Sequence, residues 1–132
     1  MENKTTIRAY LSLFSDHFPL EDVTERLGVQ PTSTYRKGDK GKYSIKKETS
    51  WDFETEEMYT LYVSEPINEI LDIFESKINL INEIKNDYDL TIKLFIVIVI
   101  EDNCSPAIII DHRLVSFLHA ISAEIDIDQY IN

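Results

Sequence analysis

A basic, glycine-containing segment lies within an acidic chain. The segment Tyr35–Trp51 reads YRKGDKGKYSIKKETSW, and twelve of its positions hold six of the chain's thirteen Lys and Arg residues, although the formal net charge is -11. Lysines beside glycines occur in loops that bind phosphate, but the segment lacks the GxxxxGK[ST] spacing of a Walker loop. Its aromatic residues and lysines also resemble a single-stranded nucleic-acid site, which the acidic remainder of the chain disfavours. A solvated hairpin is therefore preferred to either kind of site.

Three carboxylates alternate near the end of the sequence, at Glu124, Asp126 and Asp128. They could bind a hard cation or act as an acid/base pair. The outward face of an edge strand gives the same pattern, with Ile125 and Ile127 on the inward face. The structural explanation is favoured, and a functional role for this acidic face would be contact with a basic partner.

The remaining candidates for chemistry do not converge on a site. His112 and His119 lie seven residues apart on a predicted helix, about 10 Å along its axis, which is too far for two ligands of one zinc ion. The single cysteine, Cys104, cannot form an internal disulfide, and no local signature makes it a nucleophile. The sequence predicts no catalytic residue, no metal site and no cofactor, and it favours a non-enzymatic protein over an enzyme.

Composition restricts the partners and the location. A net negative chain disfavours nucleic acid, whose binding depends on Lys and Arg, whereas it speeds encounter with a basic protein. The longest apolar run, Leu94–Ile100, is too short to cross a membrane. The first residues lack the apolar region of a signal peptide, and one cysteine suits a reducing compartment. We therefore expect a cytoplasmic protein with no membrane or nucleic-acid partner.

The apolar patterns predict a single α+β domain over residues 1–132. It consists of a mixed, largely antiparallel sheet of about six strands with three helices packed on it. Strands are predicted at Ile7–Phe14, Tyr43–Ile45, Ser50–Phe53, Met58–Val63, Leu90–Ile100, Ala107–Asp111 and Glu124–Ile131. Leu90–Ile100 is apolar on both faces at its end, so we expect it in the centre of the sheet. Whether the chain is a monomer or a homodimer is left open.

Helix boundaries carry their own signals. The first helix starts near Pro19 and ends at Gly28, which can take the left-handed conformation. The second runs from a capping Ser64 to about Lys85 along one apolar stripe. Asp111 is predicted to cap the third. The residues of this third helix predicted to face inward are Leu114, Val115, Leu118 and Ile121.

The order of several short motifs resembles a known family. The segment LGVQPTSTYRKGD, followed by Trp51, is similar to the signature of the bacterial domain of unknown function 4279 family. The resemblance spans nearly the whole chain, and its distinctive pieces are Pro31-Thr32 and Lys37-Gly38-Asp39. It implies a small bacterial cytoplasmic protein, and the family has no established activity. It also implies that the loop is more than random surface charge.

Two hypotheses follow for function. The leading one is a non-enzymatic binding protein, in particular an immunity-type inhibitor whose acidic face meets a basic toxin. The alternative is a small-molecule or phosphate-binding module that uses the glycine-containing loop. The candidate residues for binding a ligand or a partner are Thr32, Arg36, Lys37, Asp39 and Trp51.

Overall fold

One open sheet of six strands forms the body of the protein. The computed structural model describes residues 2–132; Met1, which the predicted domain includes, lies outside them. The strands are β1 (Thr6–Ser15), β2 (Ser33–Tyr35), β3 (Thr49–Glu54), β4 (Met58–Tyr59), β5 (Thr91–Ile100) and β6 (Glu124–Ile131). Their order is β2-β3-β1-β5-β6, with β4 paired to the start of β1. Only the β5–β6 pair is parallel, so the predicted α+β class with a mixed, largely antiparallel sheet is confirmed.

The helices occupy three stretches of the chain, as predicted. They are α1 (Leu20–Leu27), α2 (Ser64–Phe74), α3 (Ile78–Tyr88) and α4 (His112–Ala120). A 3-10 turn at Glu75–Lys77 joins α2 to α3 within the predicted second helix. None of the helices in residues 2–132 has the length and apolar character needed to span a bilayer.

All helices lie on the same face of the sheet because strand alternation gives the sheet one apolar face. On β1 the odd-numbered residues, from Ile7 to Leu13, are fully buried and belong to one core cluster with the helix side chains. The helix stripe contributes Ile70, Phe74 and Ile81 to the same cluster. The even-numbered residues of β1 therefore point to the opposite face, which the helices do not cover.

Strand β5 lies between β1 and β6, as its doubly apolar sequence predicts. Its even-numbered residues pack under the helices, whereas Val97, on the other face, is still buried. Val97 is opposite Arg8 on β1 and Asp128 on β6, so neighbours on both sides shield it. A central position therefore accounts for the apolar residues on both faces of this strand.

The helix signals at Pro19, Gly28 and Asp111 are confirmed, and the one at Ser64 is wrong. Gly28 has φ 68° at the end of α1, and the Asp111 side chain accepts a hydrogen bond from the Leu114 N–H at the start of α4. Ser64, predicted to cap the second helix, is instead its first residue; Val63 precedes it and makes no side-chain cap bond.

Several predicted strands are shorter than expected or are not formed. Tyr43–Ile45 has only an isolated bridge from Ile45 to Lys40, and Ala107–Asp111 has only one from Ala107 to Tyr62. The predicted strand at Met58–Val63 is confined to the two residues of β4. These segments are apolar or aromatic, but no neighbouring strand continues their pairing, and β propensity alone does not form a ladder.

Two further details differ from the prediction. Val115 was expected to face inward but is 48% exposed, because its position on α4 lies off the stripe formed by Leu114, Phe117 and Leu118. The three-residue strand β2 was not predicted, since three residues are too few to show a period.

Candidate functional site

The uncovered face of the sheet is the main candidate for a binding surface. We call it the open face and define it by the strand register. Its central members are Ser33 and Tyr35 of β2, Ser50, Asp52 and Glu54 of β3, Arg8, Tyr10, Ser12 and Phe14 of β1, Lys93, Phe95 and Val97 of β5, and Glu124, Asp126 and Asp128 of β6. Aromatic rings, hydroxyls and both signs of charge thus lie side by side on a rigid sheet.

A cavity of about 600 Å³ lies on this face over β1, β2, β3 and β5. Its walls include Lys46 and Glu48, which reach it from the loop between β2 and β3. The volume falls in the range of cavities that hold small ligands, about 300–1,000 Å³. It could equally hold one large side chain of a partner protein.

Two stacked rings form part of the cavity floor. The Tyr10 and Phe95 ring centroids are 4.6 Å apart with an interplanar angle of 12°. The Arg8 guanidinium lies 5.9 Å from the Tyr10 ring centroid and also forms an ion pair with Glu54. Burial, and secondarily the Asp52 carboxylate, raises the pKa of Tyr10 to about 12. Tyr10 therefore stays protonated at neutral pH and offers its hydroxyl as a neutral hydrogen-bonding group.

A carboxylate and two buried hydroxyls lie beside these rings. The Ser12 hydroxyl donates to Asp52 Oδ1 at 2.6 Å and the Ser50 hydroxyl donates to the same oxygen at 2.7 Å. Oδ1 thus uses both of its lone pairs. Within residues 2–132, Asp52 has no cationic partner within 4 Å and Oδ2 accepts no hydrogen bond from a side chain or a loop N–H. This oxygen can accept a hydrogen bond from a bound ligand or partner.

The basic loop closes one side of the cavity. Its backbone forms a tight hairpin, in which the Gly38 N–H donates to the Lys46 carbonyl at 2.9 Å and the Lys46 N–H donates to the Asp39 carbonyl at 2.8 Å. Gly38 has φ 95°, which favours glycine. The Lys46 ammonium then lies 4.5 Å from the Tyr35 ring centroid. Lys46, rather than the residues in the family signature, is the loop cation that reaches the open face.

The five loop residues predicted as a site do not converge. The Arg36 guanidinium pairs with Glu21 of α1, and the Lys37 ammonium lies 3.5 Å from an Asp16 carboxylate oxygen. Asp39 accepts the Arg36 backbone N–H at 2.8 Å, so its carboxylate shapes the turn. Arg36 and Lys37 thus connect the loop to the body of the protein, and Asp39 fixes the turn within it.

The other two members of the set have different surroundings. Trp51 is fully buried on the helix-covered face, where its indole N–H donates to the Thr24 hydroxyl at 3.0 Å. The Thr32 hydroxyl accepts the Glu54 backbone N–H and donates to the Asp52 carbonyl, beside the edge of β3. Thr32 is exposed and does not line the cavity, whereas Trp51 is inaccessible from the open face.

The acidic face predicted on β6 is part of the open face. Glu124, Asp126 and Asp128 are exposed and lie opposite Lys93, Phe95 and Val97 of β5. Lys93 is 3.6 Å from Glu124, while no cation of residues 2–132 lies within 4 Å of Asp126 or Asp128. The acidic face therefore continues the cavity floor as a second, solvent-exposed part of one surface.

The structure also gives positions for the histidines and the cysteine. No group of three His, Cys, Asp or Glu side chains in residues 2–132 is arranged to hold a metal ion. His112 and His119 are exposed on α4, and Cys104 is half-buried in the loop after β5. None of the three lines the cavity.

Sequence reasoning missed the residues at the centre of this surface, chiefly Tyr10, Ser12, Asp52 and Phe95. One signal was present: the second, fourth and sixth residues of IRAYLSLF are Arg, Tyr and Ser, whereas the residues between them are apolar, and the pattern ends at Phe14. Such a pattern indicates a sheet with one uncovered face. Which residues of β3 and β5 lie beside them depends on the register, and the sequence alone does not provide it.

Comparison with known proteins gives a family and no activity. No curated protein and no solved structure matches the chain. The model of one family, described as "Domain of unknown function (DUF4279)", matches residues 4–132. The match covers nearly all of the sequence, and the chain therefore belongs to the DUF4279 family.

Proposed function

We propose that this protein is a non-enzymatic binding module whose open face contacts a basic partner protein. The observation that carries the proposal is a sheet covered by helices on one face only, with a cavity and an exposed row of carboxylates together on the other. An immunity-type inhibitor of a basic toxin in the bacterial cytoplasm is the specific form that we propose.

The charge balance of the surface supports a basic partner. The open face and the two loop residues that line its cavity, Lys46 and Glu48, carry six carboxylates and three cations. Two of the cations, Arg8 and Lys93, already have carboxylate partners. Four of these six carboxylates have no ion-pair partner in residues 2–132, namely Glu48, Asp52, Asp126 and Asp128. Unpaired charges of one sign on a contact surface steer the opposite charge toward it and raise the association rate.

The aromatic floor supports a protein partner in particular. Interfaces are enriched in aromatic residues and Arg, and their hot spots lie in cavities that exclude water. Tyr10, Phe95 and Tyr35 provide such rings beside Arg8 on a rigid sheet. A side chain of the partner could enter the cavity while basic residues around it meet the carboxylates of β6.

Neutralising the acidic face is expected to weaken partner binding by roughly tenfold or more, mainly through a slower association rate. The variant is Glu124→Gln with Asp126→Asn and Asp128→Asn. The matched control removes three exposed carboxylates on the helix side, by Glu25→Gln, Glu65→Gln and Glu69→Gln. Both variants and wild type are used to capture proteins from the native lysate. The association and dissociation rates of the retained partner with each of the three proteins are then measured at low and high salt.

The two variants have the same net charge, so a general charge effect would weaken both equally. We expect the control to bind like wild type and the open-face variant to lose most of its salt dependence. Equal binding by all three proteins, or equal loss in both variants, would refute the assignment of the partner to the open face.

A small molecule in the open-face cavity is the second candidate function. It is favoured by the free Oδ2 of Asp52 beside the Tyr10 and Phe95 rings, which suits an amine attached to a flat apolar group. The signature loop residues Arg36 and Lys37 point to Glu21 and Asp16, so phosphate binding by the loop would have to displace these ion pairs.

A ligand screen by thermal shift distinguishes binding in the open-face cavity from binding at the basic loop. A cavity ligand is expected to raise the unfolding temperature of wild type and of Lys37→Ala, and to lose the shift in Asp52→Asn. Inorganic phosphate is screened beside amines with flat apolar groups. Stabilisation by phosphate that Lys37→Ala abolishes and Asp52→Asn retains would instead support the loop as the binding site.

A further inference from the structure

Strand β6 leaves a long edge of the sheet unpaired. It stands at one end of the strand order and spans eight residues, whereas β2, at the other end, spans three. An edge of this length presents backbone N–H and C=O groups that can pair with another strand. The open face reaches this edge, because Glu124, Asp126 and Asp128 lie on β6.

The backbone direction of β6 follows from one hydrogen bond. The Asn132 N–H donates to the Ile100 carbonyl of β5 at 3.0 Å, so it points inward. Along a strand, successive N–H groups point to opposite sides in the plane of the sheet. The N–H groups of Ile125, Ile127, Gln129 and Ile131 therefore point away from β5, toward the free edge.

Charge determines which strand can pair there. Two copies of this chain joined edge to edge through β6 would bring two rows of three carboxylates together, and like charges facing each other destabilise a sheet. Acidic residues on an edge strand thus act against self-association. A strand with Lys or Arg at alternate positions would instead place each cation beside a carboxylate, and its apolar alternate residues would extend the surface of Ile125 and Ile127.

We propose that an extended basic segment of the partner adds to β6 as a further strand of the sheet. This inference rests on the proposed function and specifies how the partner is held. Main-chain hydrogen bonds from the β6 edge would provide affinity, and the row of carboxylates would select the charge and the register of the added strand.

The probe is a synthetic peptide, acetyl-Lys-Val-Lys-Val-Lys-Val-Lys-amide, whose lysines alternate with valines. The test variant is Gln129→Pro, which removes one outward N–H. Proline lacks that donor and is tolerated on edge strands where the N–H faces solvent, so the β5–β6 ladder keeps its bonds. Gln129→Ala is the control, since it removes the same side chain and keeps the N–H. If Gln129→Pro does not fold, Ile131→Pro takes its place as the test variant, because it removes a different outward N–H of the same edge.

Wild type and Gln129→Ala are expected to bind the peptide equally, and Gln129→Pro about tenfold more weakly, measured by titration calorimetry. Hydrogen exchange followed by NMR should show slower exchange at the Ile125, Ile127 and Ile131 amides when the peptide is bound. A peptide of the same length with Glu in place of Lys is expected not to bind.

Three results would overturn strand addition. Equal affinity of Gln129→Pro and Gln129→Ala, with unchanged amide exchange, would show attraction by charge alone and leave the proposed function intact. Absence of peptide binding to wild type would overturn the inference, while the capture experiment decides the proposed function separately. Self-association of wild type that Gln129→Pro abolishes would identify a second copy as the strand that pairs with β6.

Discussion

The substitution Trp51→Ala is expected to lower the free energy of unfolding by about 3–5 kcal/mol. Trp51 is fully buried, its indole N–H donates to the Thr24 hydroxyl at 3.0 Å, and its ring lies edge-on to Phe74 with 6.3 Å between centroids. The change therefore leaves a large cavity between β3 and the helices. Domains of this size have a free energy of unfolding of about 5–15 kcal/mol, so the substitution would remove much of the stability of the protein.

The measurement is urea unfolding followed by circular dichroism at 222 nm. Fluorescence is unsuitable because Trp51 is the only tryptophan. The control is Trp51→Phe, which keeps a ring and loses the hydrogen-bond donor, and it is expected to cost about 1–2 kcal/mol. A loss below about 0.5 kcal/mol for Trp51→Ala would be typical of a surface residue and would contradict its burial in the core.

The long periodic segments were predicted from the sequence, and the physical reason is the same for each. β1 alternates over many residues, and the helices around Ile70 and Leu114 carry apolar stripes, so burial on one face fixes both their type and their orientation. β5 was recognised instead from a long apolar run, which is typical of a strand inside the sheet. Gly28 and Asp111 act within one or two turns of the chain, so their capping roles could be read locally.

The short segments were predicted poorly because pairing is not a local property. Ile108, Ile109 and Ile110 have the composition of a strand, yet only Ala107 next to them makes a bridge, and Ile109 is 67% exposed. Conversely, Ser33–Tyr35 forms β2 because β3 offers it a free edge. In both cases the neighbouring strand, rather than the segment itself, determines the outcome.

The same limit applies to the candidate site. The carboxylates of β6 were identified from their alternation alone, and the structure adds them to a larger surface. The stacked pair of Tyr10 and Phe95 depends on the register between β1 and β5. Residues far apart in sequence meet there, and a single sequence gives no direct signal of their contact.

The basic loop in an acidic chain has at least two structural roles. Arg36 and Lys37 pair with carboxylates beside the loop, and backbone hydrogen bonds from Gly38 and Lys46 fix its hairpin. Exposed ion pairs contribute little to stability, so the backbone bonds and the glycine conformation are the main determinants of its shape. That shape places Lys46 over Tyr35, at the margin of the open-face cavity.

The substitution Phe74→Ala is expected to cost about 3–5 kcal/mol as well, because Phe74 joins α2 to β3. Its ring is fully buried and lies edge-on to Phe53 with 5.4 Å between centroids, in addition to its contact with Trp51. The matched control is Val115→Ala, a residue that is 48% exposed on α4 and is expected to change stability by less than about 0.5 kcal/mol. Urea unfolding of both variants measures the difference between their free energies of unfolding.

A double-mutant cycle separates the ring contact from the cavity that Phe74→Ala would leave. Phe53→Leu, Phe74→Leu and the double variant are expected to show a coupling free energy of about 0.5–1.5 kcal/mol. Additive effects would mean that the edge-on contact contributes nothing beyond burial. Coupling would matter for the open face, since Phe53 lies between Asp52 and Glu54 on β3 and side chains alternate between the two faces. Packing under the sheet would then help to hold the carboxylates of the open face in place.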